Sequence, residues 1–92
     1  MERFLIEVPH EDSKAACGRA VLIFHQSGSH FLTHAEWGCK DGIHSAWLEV
    51  EVESKEQARQ IIPPAYRAKA RIVKLNTWSG KEIDELIKIH EE

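Results

Sequence analysis

Glu7, His34, Glu36, Trp47, Glu49, Glu51 and Lys74 have the side-chain types that suit acid–base work or the binding of a polar ligand, provided one sheet face collects them. A histidine facing a carboxylate across two strands, as His34 would face Glu49, is an arrangement that general acid–base catalysis uses. Partial burial raises a carboxylate pKa, and a neighbouring carboxylate favours imidazolium, so both groups move towards neutrality. His34, Glu36 and Glu49 are therefore the catalytic candidates, surrounded by Trp47, Glu7, Glu51 and Lys74 as ligand-binding candidates. The plainer expectation is a solvated face or a subunit interface. In that case His34 and Glu49 are a cross-strand ion pair contributing about a few tenths of a kcal/mol.

A second set is His10, Cys17, Cys39 and His44. Two thiolates and two imidazoles are donors of the kind zinc takes. Their spacings are not the close Cys-x-x-Cys type of structural zinc sites. Cys17 falls on an apolar helical stripe and Cys39 on the core-facing side of a strand pattern, so buried packing of both thiols is favoured and no cofactor is expected. The histidines as a group (His10, His25, His30, His34, His44 and His90) would make association pH-dependent if they gathered at an interface. No serine or cysteine sits in a nucleophile elbow, and there is no glycine-rich phosphate loop.

The elements that must position these groups centre on a hairpin over residues 30–53. Asp41-Gly42 lies between two alternating runs, and a two-residue turn there would pair Lys40 with Ile43. That register puts Cys39, Trp37, Ala35, Thr33 and Phe31 opposite His44, Ala46, Leu48, Val50 and Val52 on a core face. Glu36, His34, Leu32 and His30 then face Trp47, Glu49, Glu51 and Glu53 on the other. Upstream, residues 3–8 alternate as a strand, and Ser13 begins a helix to about Gln26 that Gly28 ends. Downstream, Ser54-Lys-Glu-Gln57 starts a second helix, which Pro63-Pro64 ends. Residues 70–77 form a last strand, with Val73 and Leu75 on one face and Ile72, Lys74 and Asn76 on the other. Ser79-Gly-Lys-Glu82 opens a C-terminal helix with Ile83, Leu86, Ile87 and His90 on one side.

The order strand, helix, strand, strand, helix, strand with right-handed crossovers predicts an α+β, ferredoxin-like βαββαβ sandwich. Its four-stranded antiparallel sheet has order 4-1-3-2, with an extra C-terminal helix. Residues 1–92 are read as one domain, with its core in 3–78 and the added helix in 79–92. Together with Pro63-Pro64-Ala-Tyr-Arg67 and the Gly-Ser-His-Phe stretch at 28–31, this topology resembles the small dimeric α/β-barrel proteins. The resemblance implies sheets paired through their open faces, hence a homodimer or higher homo-oligomer, and a cavity for a small-molecule ligand. The superfamily spans isomerases, monooxygenases and proteins without chemistry, so it transfers no catalytic residue.

The first expectation is a ligand-binding or assembly module using the open sheet face. The alternatives are a small cofactorless enzyme with a His/Glu pair, or a Cys/His metal-binding protein. A net charge of −3 argues against a nucleic-acid or acidic-membrane partner. Arg67, Lys69, Arg71 and Lys74 form one local basic stretch compatible with an anionic ligand. No apolar run reaches the roughly 18–20 residues of a membrane span, no signal sequence is visible, and two cysteines make no secreted scaffold. A cytoplasmic protein is expected.

Overall fold

The computed structural model describes residues 1–91, with side chains through Lys88. Strand β1 (Glu2–Pro9) is central in a sheet of order β2-β3-β1-β4, the predicted ferredoxin-like order read from its other edge. It pairs antiparallel with β3 (Ser45–Val52) from Glu2↔Val52 to Pro9↔Ser45, and with β4 (Arg71–Lys74) from Phe4↔Lys74 to Glu7↔Arg71. Antiparallel partners share a face. Phe4, Ile6 and Val8 therefore join Ala46, Leu48, Val50 and Ile72 on one buried face.

Two helices cover that face. In α1 (Lys14–Gln26), Ala16, Ala20 and Phe24 recur every four residues and are buried, and the Ser13 Oγ accepts the Ala16 N–H at 3.0 Å at its start. In α2 (Lys55–Ile61), Ala58 is buried, as is Ile62 just beyond, and Ser54 Oγ accepts the Gln57 N–H at 3.2 Å. Phe24 is fully buried, with its ring centroid 4.9 Å from that of Trp37, so truncating it to alanine should cost about 3–5 kcal/mol. The helix α3 (Gly80–Glu91) is reciprocally capped: Ser79 Oγ accepts from the Glu82 N–H, and Glu82 accepts from the Ser79 N–H, each at 3.1 Å. Its Ile83, Leu86 and Ile87 remain exposed, while the side chain predicted to continue that row, His90, lies outside the described residues. Among the described residues no helix is long and apolar enough to cross a membrane.

The predicted hairpin is corrected in shape but not in register. Glu36↔Trp47 and Trp37↔Ala46 pair as expected, yet β2 (Glu36–Trp37) has only those two residues. Leu32–His34 is a 3₁₀ turn instead of strand. Ser29 causes this locally, its carbonyl and hydroxyl accepting the N–H groups of Thr33 at 3.1 Å and Leu32 at 3.3 Å, while Thr33 Oγ1 donates to His30 O. Such hydrogen bonds compete with a sheet ladder. The turn drops Leu32 into the core at 2% exposure, where a strand would have faced it outward. At the other end the two-residue turn is replaced by a 3₁₀ turn at Cys39–Asp41, closed by Gly42 at φ +79°.

The last strand is shorter than predicted and its faces are exchanged. Ile72 pairs with Ile6 in the core and Lys74 pairs with Phe4 on the helix-covered side, where Lys74 Nζ lies 2.7 Å from Glu2 Oε1. The reason is its register against β1, which alternation within so short a strand does not reveal. Arg71 takes the open-face position and meets Glu7 at 2.9 Å.

Candidate metal centre

Three chain segments converge at the end of the sheet where β1 stops. His10 follows Pro9, and its N–H donates to His44 O at 3.0 Å, extending the β1–β3 ladder by one bond beyond the strands. That bond places His44 beside the central strand. Cys39 opens the 3₁₀ turn that brings the loop back, with Gly42 N–H donating to Cys39 O at 3.1 Å. Cys17 stands in the first turns of α1, its N–H donating to Ser13 O.

The donor atoms of His10, Cys39 and His44 all lie within 4.8 Å of one another. Cys39 Sγ is 3.2 Å from His10 Nε2. In a tetrahedral zinc site with ordinary bond lengths a nitrogen–sulfur edge spans about 3.5 Å, so this edge opens by roughly 0.3 Å and a spacing of up to 4.8 Å closes by roughly 1 Å. The two imidazoles meet edge to face, centroids 5.6 Å apart and planes at 90°, and the His10 ring also leans on Trp37 at 5.9 Å.

Both His10 Nδ1 and His44 Nδ1 are buried without a hydrogen-bond partner among the described residues. A buried polar atom without a partner costs about 1–3 kcal/mol, and an ion is one of the things that satisfies it. For His44 the assignment is sharper. Its Nε2 is 2.9 Å from Asp12 Oδ1, which leaves Nδ1 as its free donor. A carboxylate on one ring nitrogen with the other free is the outer arrangement that orients metal-bound histidines.

Burial, and secondarily the charge of a protonated His44, lower the pKa of His10, favouring the neutral imidazole that a metal requires. The Cys39 thiol is pushed up to about 11, first by desolvation and then by the neighbouring Cys17 thiol. Without a cation Cys39 is therefore protonated at neutral pH, whereas a bound divalent ion removes that proton outright. Cys17 stands outside the tight group of three but next to Cys39, and both cysteines are free and half-buried.

The other predicted site residues are not brought together in this way. His34 is exposed in its 3₁₀ turn, with Nδ1 2.7 Å from His30 O, so the expected His34–Glu49 pair is not formed. Glu49 pairs with Leu5 and Glu36 with Trp47, both carboxylates being exposed. Trp47, Glu7 and Glu51 do share the open face, with Glu7 engaged by Arg71, but Lys74 is on the opposite side. Asp12, the partner of His44, was not among the residues the sequence singled out. Its signal was its place in His10-Glu-Asp, next to a candidate donor.

A scan of protein-family models finds no match, and neither do searches of the curated proteins and of the solved structures.

Proposed function

We propose that this chain is a small metal-binding domain in which His10, Cys17, Cys39 and His44 hold one divalent transition-metal ion, zinc being the best chemical fit. One observation carries the reading: three donors from two separate segments, the end of β1 and the 39–44 loop, sit within 4.8 Å of one another, one of them a buried imidazole nitrogen without a partner. Two sulfur and two nitrogen donors suit the softness and tetrahedral preference of zinc over the oxygen donors that calcium or magnesium require. Such an ion would clamp the end of β1, the start of α1 and the 39–44 loop, adding its binding energy to the stability of a small domain. The test is titration of chelator-treated, reduced protein with cobalt(II). One equivalent should produce thiolate charge-transfer bands and intense tetrahedral d–d bands that zinc abolishes, and Cys39→Ala should lose both. Less than about a tenth of an equivalent of zinc retained after dialysis would overturn the proposal, given the tightness of such sites.

A second, compatible reading concerns assembly. The ferredoxin-like sheet leaves Leu5, Trp47 and Val73 on its open face, and Trp78, Ile83, Leu86 and Ile87 are exposed nearby in sequence. We infer a homo-oligomer of the dimeric α/β-barrel kind, in which α3 and the open face meet a second copy. Sedimentation equilibrium of the full chain tests this, a monomer throughout the micromolar range being the contrary result.

A further inference from the structure

A cavity of about 480 Å³ borders His10 and is lined by no residue of the loop that carries Cys39. Its walls come from the end of β1, from α1 and from the segment before β4. Pro9, Ala16, Ile23 and Tyr66 supply apolar surface, and Arg19 and Lys69 supply positive charge. The Tyr66 ring is braced edge-on against the buried Phe24 at 6.1 Å, so this wall is anchored to the core. The volume falls in the range of small-molecule sites, about 300–1,000 Å³.

Charge decides the class of ligand. Arg71 is engaged by Glu7, Lys74 by Glu2, and Arg67 donates to the carbonyls of Ile62 at 2.7 Å and Gln60 at 3.0 Å. Of the local basic stretch, Lys69 alone lines this cavity, joined from α1 by Arg19, and neither forms an ion pair among the described residues. Glu11 is the single acid in the lining. Two cations against one carboxylate leave the site net singly positive, which favours an anionic ligand, and the apolar walls favour one with an organic body.

We propose that this cavity binds a small organic monocarboxylate, its apolar body against Ile23, Ala16 and Tyr66 and its carboxylate between Arg19 and Lys69. The guanidinium fork gives a carboxylate two parallel N–H donors, which a neutral amide matches poorly. The inference uses no metal ion and stands apart from the reading of the donor cluster, although the His10 ring borders both sites.

The experiment is titration of the full, chelator-treated chain with hydrocinnamate, followed by amide NMR, with hydrocinnamamide as the neutral isostere. Saturable shifts at Ala16, Arg19, Ile23 and Ala68 with a Kd below about 1 mM are expected, the amide binding at least about tenfold more weakly. Arg19→Gln and Lys69→Gln, both at exposed positions, should each raise the Kd about tenfold while leaving the rest of the spectrum in place. Equal affinity for acid and amide overturns the proposal, as do unchanged Kd values in both variants or no saturation by about 10 mM. Repeating the titration with zinc present separates the two readings, because hydrocinnamate binding is expected with or without the ion.

Discussion

Replacing Gly38 with alanine should damage both the fold and the donor cluster through one steric contact. The backbone of Gly38 holds the loop closed: its N–H donates to Ser45 O at 3.1 Å, and its carbonyl accepts from Asp41 and Ile43, each at 3.0 Å. An alanine Cβ there would lie 2.7 Å from Ile43 O and 2.8 Å from the Trp47 ring. The first obstacle is backbone, and that oxygen already accepts the Ser45 N–H at 2.9 Å, so relief requires the 39–44 loop to part from β3. Overpacking of this kind costs about 1–3 kcal/mol. For a domain of this size that is a fall in Tm of roughly 5–20 °C. The same movement separates Cys39 and His44 from His10, so cobalt(II) affinity should fall with stability. Gly42→Ala is the control: its φ is +79° and a Cβ meets nothing within 4 Å, so only the left-handed backbone penalty of about 1–2 kcal/mol applies, with no steric displacement of β3. Thermal melts by circular dichroism and cobalt titration measure both effects. A Gly38→Ala protein that melts within about 2 °C of the parent and binds cobalt unchanged would refute the reasoning.

Three further outcomes follow from the same geometry. Asp12→Ala removes the carboxylate that orients His44 and should weaken zinc binding about tenfold to a hundredfold, measured by competition with a chromophoric chelator. With its thiol pushed up to about 11, Cys39 in the metal-free protein should alkylate slowly at pH 8 and roughly tenfold faster for each pH unit up to 10, because the thiolate is the reactive form. Peptide-resolved mass spectrometry follows that rate; a plateau reached below pH 9 would contradict it. Leu86→Lys, on the exposed row of α3, should leave the Tm within about 2 °C while shifting the sedimentation profile towards monomer, and no shift would remove α3 from the proposed interface.

Local chemistry made much of this chain legible in advance. Ser13, Ser54 and Ser79 each cap the helix predicted to follow them, because a hydroxyl's preference for an exposed N–H depends on neighbours a few residues away. The alternation of Phe4, Ile6 and Val8, and of Ala46, Leu48 and Val50, identified the buried face, and the Trp37–Ala46 pairing emerged in the expected register. Sheet order followed from connection lengths and crossover handedness.

What the tertiary structure decided lies at the ends of the elements. Ser29 and Thr33 turned the predicted long strand into a 3₁₀ segment, which moved His34 away from Glu49 and dissolved the acid–base pair. The register of β4 placed Lys74 and Ile72 on the covered side and Arg71 on the open one. The sequence named His10, Cys17, Cys39 and His44 as one donor set, but only the closed loops set Cys39 Sγ 3.2 Å from His10 Nε2, with Asp12 on His44 behind them. Side-chain periodicity records which face a residue occupies, because that depends on local dihedrals. Which distant residues share that face's rim depends on how loops close between packed elements, and this is settled only when the whole core forms.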